Sequence, residues 1–183
     1  MSTNSDKYRR AVADFSSVVD GVKDWSAASP CQGWTARDVV GHVIGGVQVV
    51  SSVETGKAPQ RGDPATNAGE DPGGAFRKER DLALGAMTED NLAKKVQSPM
   101  GEMALDQMMG MFLTPDVLIH TWDLAKAAGV EVKLDPQLVD ETYNALQPID
   151  AMVRTPGVFG AKVEPPAGAD AQTKLICFVG RTP

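Results

Sequence analysis

The sequence is poor in the residues that build disulfide frameworks and basic binding surfaces. Its 183 residues include two cysteines, Cys31 and Cys177, which are too few for the disulfide scaffold of a small secreted protein. No apolar run reaches the roughly 18 residues that a membrane-spanning helix needs. Lysine and arginine form no cluster and the net charge is −6, which argues against a nucleic-acid partner.

The N-terminal residues, MSTNSDKYRR, also lack a feature, namely the apolar segment of a signal peptide. A soluble, cytoplasmic protein without a membrane partner is therefore expected. The composition, 42% apolar and 23% charged, is typical of a globular chain. The length predicts a single domain over residues 1–183, with a core over about 5–153 and a tail over 154–183.

Strand signals are scarce, and apolar residues at steps of three and four predict an all-α domain. A first helix is predicted over about 5–25. A second is predicted over about 35–54, with Thr35 as N-cap, Asp38 as its capping-box partner, and Trp34 and Val39 as a hydrophobic staple. Further helices are predicted over about 75–90, 104–128, 135–152 and 170–179, with short strands beside the turn VQSPMGE.

Two interruptions of the helical pattern bear on the fold. Residues 56–74 are rich in Gly, Pro and Asp and predict a long surface connection, as expected where a chain crosses the end of a four-helix bundle. Pro115 interrupts the pattern over 104–128, so a kink or a restart with Thr114 as N-cap is expected. Gly129 is predicted to end that helix.

Three polar residues lie within the apolar stripe of the helix predicted over 104–128. At 100° per residue, Asp116, His120 and Asp123 project within roughly 60° of one another. A buried charge without a partner costs several kcal/mol, so these side chains need partners inside the fold. An ordinary structural pair, within the helix or with a lysine or arginine, would satisfy that need.

His42 suggests a different partner for these groups. His42 and His120 are the only histidines in the sequence, and both lie on inward-facing positions of predicted helices. Asp116 precedes His120 by four residues, which puts the two on one helix face. Two imidazoles and a carboxylate suit Zn²⁺, Ni²⁺ or Fe²⁺ and leave a position open, as in catalytic sites. We therefore predict a metal site at His42, Asp116 and His120, most suited to Zn²⁺.

Two residues near this predicted site carry open alternatives. Asp123, one turn after His120, is either an acceptor that orients an imidazole or a helix-packing residue. Cys31 lies just before the second helix, where thiols can become redox-active. A buried small apolar role is the favoured prediction for Cys31, and a packing role for Trp34.

The stretches SPCQGWTARDVVGHV and MFLTPDVLIHTWDLAKAAG resemble the DinB-like superfamily of metal-binding helical bundles. More narrowly, they are similar to the metal-binding domain of mycothiol-dependent maleylpyruvate isomerase. The resemblance implies a four-helix core with one long crossover and a metal held by His42, Asp116 and His120. Aspartate here stands where the isomerase branch has glutamate. The isomerase also carries a further C-terminal domain, so isomerisation of maleylpyruvate itself is not expected of this chain.

The same resemblance implies a metal-dependent enzyme with a low-molecular-weight thiol, such as mycothiol, as cosubstrate. The reaction would be an S-transfer or an isomerisation of a small electrophile. A homodimer would fit such bundles, which often pair through apolar helix faces, but no clear apolar seam for it is readable in the sequence. Two other hypotheses stay open: a non-catalytic metal-binding or stress-related interaction module, and a metal-free bundle whose histidines are satisfied core residues.

Overall fold

The computed structural model describes residues 3–56, 62–155 and 157–183. The chain divides into two compact units, Met1–Glu131 and Val132–Pro183, which are described separately. Among the described helices, none combines the length and apolar character needed to cross a membrane. The predicted all-α class is confirmed, since helices dominate the described residues and the one described sheet is a two-stranded hairpin.

The elements of the first unit follow one another closely along the chain. Its first five helices are α1 (Asn4–Val19), α2 (Ala36–Ser52), α3 (Pro64–Ala68), α4 (Pro72–Ala86) and α5 (Glu89–Ala93). Strands β1 (Lys95–Ser98) and β2 (Gly101–Ala104) then pair antiparallel, where short strands are predicted. The last elements are α6 (Leu105–Met108), a π-helix (Met109–Leu113) and α7 (Thr114–Ala128).

Four long helices form the bundle of this unit. Helix α1 packs on α7, and α2 packs on both α4 and α7. Phe15, Ile44, Phe76 and Leu118 are almost completely buried between them. Each large apolar side chain removed from water contributes about 1.5–3 kcal/mol, so this packing fixes how α2 and α7 face each other.

Helix α1 ends at Val19, six residues before the predicted end near residue 25. Directly after it the chain passes into tighter turns, in which the backbone N–H groups of Gly21 and Val22 donate to the carbonyls of Val18 and Val19 at 2.9 and 3.2 Å. The carboxylate of Asp24 accepts from the backbone N–H of Ser26 at 2.9 Å and from its hydroxyl at 2.6 Å. The chain then turns and forms an isolated bridge between Ala28 and Thr35 before α2 begins.

The long surface connection predicted over 56–74 is wrong in its described part. Residues 57–61 lie outside the described residues, but α3 follows them and packs against α2. Asn67 donates its side-chain amide to the carbonyl of Gly41 at 3.1 Å. A Cβ at Gly41 would overlap the backbone carbonyl of Pro64, so the close approach of α3 depends on a glycine there.

Pro115 does not follow an N-cap residue at Thr114. Thr114 has helical dihedral angles (φ −64°, ψ −49°), so the predicted restart with Thr114 as N-cap is wrong. The helix instead widens into the π-helix immediately before Pro115, which tolerates a residue without a backbone N–H. Helix α7 ends at Gly129, whose left-handed conformation (φ 68°) agrees with the prediction.

The second unit contains α8 (Pro136–Leu146), a 3-10 turn (Gln147–Ile149), α9 (Asp150–Val153) and α10 (Ala171–Phe178). The predicted N-cap Asp135 accepts from the backbone N–H groups of Gln137 and Leu138. The helix predicted to reach about residue 152 is interrupted by the 3-10 turn, because Pro148 cannot supply a backbone N–H. Helix α10 matches the short helix predicted over 170–179.

Candidate metal centre

The three predicted metal ligands lie together at the contact between α2 and α7. His42 Nε2 is 3.1 Å from Asp116 Oδ1, and His120 Nε2 is 3.6 Å from the same oxygen. The two imidazole rings meet edge to face, with centroids 4.7 Å apart. One atom from each side chain can be chosen so that all three lie within 4.8 Å of one another.

These distances fit a divalent transition metal. Ligands at about 2.0–2.2 Å around a tetrahedral ion lie about 3.3–3.6 Å from each other. The spacings of 3.1 and 3.6 Å between Asp116 Oδ1 and the two Nε2 atoms are close to those edges. Two imidazole nitrogens and a carboxylate oxygen are also the donor types that Zn²⁺, Ni²⁺ and Fe²⁺ accept. Three protein ligands would leave at least one position open.

The two nitrogens of His120 face different groups. While Nε2 faces Asp116, Nδ1 lies 3.0 Å from Oδ2 of Asp123, whose side chain is fully buried. An ionised carboxylate can only accept a hydrogen bond, so His120 donates from Nδ1. The structure thus brings Asp123 into direct contact with a predicted metal ligand. Of its two alternatives from the sequence, this contact favours an acceptor that orients an imidazole over a helix-packing residue.

Cys31 reaches the same carboxylate from the loop before α2. Its thiol donates to Oδ2 of Asp123 at 3.1 Å, and its sulfur lies 4.0 Å from Nδ1 of His120. The side chain is half-buried rather than fully buried. The prediction of a buried small apolar residue at Cys31 is therefore wrong, because Asp123 and His120 give its thiol polar partners.

Charge dominates the behaviour of His120 in the metal-free site. Burial lowers its pKa, but the hydrogen bonds to Asp123 and Cys31 and the negative charges of Asp116 and Asp123 raise it, with a net pKa of about 10. The metal-free site therefore holds an imidazolium between two carboxylates. A metal bound at Nε2 would have to displace one of its protons.

Tyr8 of α1 is a polar group near the site that was not singled out from the sequence. Its side chain is completely buried, and its hydroxyl has no hydrogen-bond partner among the described residues. Burial raises the pKa of this phenol, and the charge of Asp116 raises it further. The tyrosine therefore stays neutral, and its unsatisfied hydroxyl lies close enough to feel the Asp116 carboxylate.

Trp34 covers the two imidazoles. Its ring stacks on His120 with centroids 5.8 Å apart and an interplanar angle of 18°, and lies tilted against His42 at 5.2 Å. The sequence predicts only a packing role for Trp34. The signal for its contact with the imidazoles is its position directly before the N-cap of the helix that carries His42. An indole packed against both rings limits their rotation.

Comparisons with known proteins agree with the resemblance seen in the sequence motifs. Residues 7–125 match the family model described as the mycothiol maleylpyruvate isomerase N-terminal domain. Two proteins of Mycobacterium tuberculosis, both described as uncharacterized, are 30% identical to the chain over 181 residues, with 96% of each chain covered.

Two crystal structures of mycothiol-dependent maleylpyruvate isomerase, one of them of a mutant, share the fold. Their TM-scores are 0.58 and 0.53 at 15% sequence identity. In each case the match covers 77% of this chain and 70% of the other.

Proposed function

We propose that this chain, which belongs to the family of mycothiol maleylpyruvate isomerase N-terminal domains, is a divalent-metal-dependent enzyme that uses a low-molecular-weight thiol. The observation that carries the proposal is the convergence of His42, Asp116 and His120, with their ligand atoms within 4.8 Å. The thiol is proposed from the names of the family and of the similar structures, both of which refer to mycothiol.

In this proposal His42 Nε2, Asp116 Oδ1 and His120 Nε2 hold the metal, with Zn²⁺ favoured over Ni²⁺ and Fe²⁺. The bound metal would supply a Lewis acid that lowers the pKa of a thiol, so that its sulfur is nucleophilic at neutral pH. Asp116 supplies one negative charge, and Trp34 packs over the imidazoles and holds their rings in place.

The exposure of the ligands indicates where a small thiol would enter. The side chains of His42 and Asp116 keep 27% and 29% of their surface exposed, whereas His120 keeps 11%. The open side of the site therefore lies at His42 and Asp116. A thiol and an electrophile meeting there would form a carbon–sulfur bond while the thiol proton passes to solvent. In a transfer the leaving group departs with its electron pair, and in an isomerisation the carbon–sulfur bond breaks again and the thiol takes back a proton from solvent.

The thiol half of this proposal can be tested separately from the metal half. Protein loaded with Co²⁺ is titrated with mycothiol, and the visible absorption of the metal is followed. The expected result is a saturable spectral change, together with metal-dependent conjugation of a model electrophile that is lost on chelation. Metal binding without either response would refute the enzymatic proposal and leave a metal-binding module.

A further inference from the structure

Cys31, Asp123 and His120 form a hydrogen-bonded chain behind the proposed metal ligands. Both the thiol of Cys31 and Nδ1 of His120 contact the same carboxylate oxygen, Asp123 Oδ2, at 3.1 and 3.0 Å. His120 links this chain to the open side of the site, because its other nitrogen faces Asp116. We infer that Cys31 and Asp123 are positioning residues, which hold His120 so that Nε2 is presented to a metal. This inference rests on the metal site of the proposed function.

The burial of Asp123 is the first support for this role. Its side chain has no exposed surface, and a carboxylate in such a place costs several kcal/mol unless it is well compensated. A hydrogen bond from Nδ1 to a carboxylate fixes the tautomer of a histidine and the orientation of its ring. It also leaves the lone pair of the neutral imidazole on Nε2, the nitrogen that faces Asp116 and the open side.

The loop that carries Cys31 is the second support. The backbone N–H of Cys31 is held by the hydroxyl of Ser29 at 3.1 Å, and its carbonyl accepts from the backbone N–H of Trp34 at 3.0 Å. One short turn therefore delivers both the thiol that contacts Asp123 and the indole that stacks on His120. The two contacts hold the His120 ring at its Nδ1 edge and on one face.

The same three residues could in principle ligate a cation themselves, since their sulfur, nitrogen and oxygen atoms also lie within 4.8 Å. The difference in exposure between this set of residues and the set His42, Asp116 and His120 argues for a positioning role instead. A cation arriving from water meets the partly exposed His42 and Asp116, whereas on the Nδ1 side Asp123 is fully buried and only the thiol of Cys31 is half-buried. Coordination at Nδ1 would also displace the proton that bonds to Asp123.

The experiment measures Zn²⁺ affinity by competition with a chromophoric chelator in four variants of the full chain. Asp123→Asn is expected to weaken binding by about 10–100-fold, as loss of such a partner typically does. Cys31→Ala is expected to weaken it less, by roughly 3–10-fold, because the thiol contacts Asp123 and acts on the ligand only through it. Cys31→Ser is expected to restore most of the affinity, because a hydroxyl can donate to the same oxygen. Cys177→Ala, which removes the other thiol, is expected to bind like the wild type.

Circular dichroism verifies that each variant folds, and alkylation of folded wild type with iodoacetamide removes the same S–H donor should Cys31→Ala not fold. A Co²⁺ spectrum adds a readout that a purely structural role would not move. Wild type is expected to show no sulfur-to-cobalt charge-transfer band, and Asp123→Asn to shift the d–d bands.

Wild-type affinity in both Cys31→Ala and Asp123→Asn would overturn the positioning role alone. A charge-transfer band that disappears in Cys31→Ser would overturn it by making the thiol a direct ligand. A wild type that binds no metal would overturn the proposed function together with this inference, so the failures are distinguishable.

Discussion

The metal-free protein is expected to lose stability between about pH 7 and pH 10, because the unfolded chain has released the His120 proton in that range while the folded chain still holds it. In the folded chain the two carboxylates beside His120 outweigh the effect of its burial and raise its pKa from the ordinary 6.5 to about 10. A folded-state pKa above the unfolded value means that the folded state binds this proton more tightly. The contribution is therefore complete below about pH 6.5 and is lost as the pH rises through about 10.

The size of this contribution follows from the difference in proton affinity. Each tenfold difference corresponds to about 1.4 kcal/mol, so the total is on the order of a few kcal/mol. In a chain of this length, such a loss lowers the melting temperature by roughly 5–10 °C. Bound metal replaces the proton at Nε2, so saturating Zn²⁺ is expected to flatten the pH dependence.

Thermal unfolding in a chelating buffer at pH 6.5, 8 and 9.5 measures the effect. Other groups titrate over the same range, so wild type is compared with His120→Gln, which keeps a polar side chain without the charge. We expect the melting temperature of wild type to fall more steeply than that of the variant. Parallel curves for the two proteins would refute a protonated His120 between the carboxylates.

Four further substitutions test the structure around the site by chemical denaturation. Gly41→Ala is expected to cost about 1–3 kcal/mol, because the new Cβ would overlap the carbonyl of Pro64. Gly85→Ala is the control, because Gly85 is an exposed helical glycine with open space around it, and its stability should rise by up to about 1 kcal/mol. Equal changes in stability for Gly41→Ala and Gly85→Ala would contradict the close packing of α3 on α2. Tyr8→Phe should be neutral or stabilising by up to about 1 kcal/mol, since it removes an unsatisfied buried hydroxyl, and a clear loss would reveal a partner. Thr35→Ala should cost about 1 kcal/mol through the lost N-cap, and no loss would contradict the capping box.

Several helix starts were predictable from the sequence because an N-cap depends on neighbouring residues, although the start predicted at Thr114 was not found. Thr35 with Asp38, Asp135 before a proline, and Asp170 all cap helices where the sequence predicts a start. Ends were less predictable. Helix α1 stops early where the chain passes into tight turns at Gly21 and Val22, whose stability relative to a further helical turn cannot be read from the spacing of apolar residues.

In the candidate site, contacts within one helix were predictable, whereas contacts between residues far apart in the sequence were not. The pairing of Asp116 with His120 follows from a spacing of four on one helix. The contact between Cys31 and Asp123 joins residues 92 positions apart, and it depends on the path of an irregular loop. Trp34 and Tyr8 reach the site through tertiary packing as well, so their sequence positions predicted burial but not which groups they would meet.

The metal content of purified, untagged protein tests the proposed site most directly. Elemental analysis after exhaustive dialysis is expected to find about one divalent transition-metal ion per chain, mainly zinc. His42→Ala and His120→Ala should lose it, while Lys126→Ala, an exposed change on the same helix as His120, should keep it. A folded wild type that contains no metal and takes up none from solution would contradict the account.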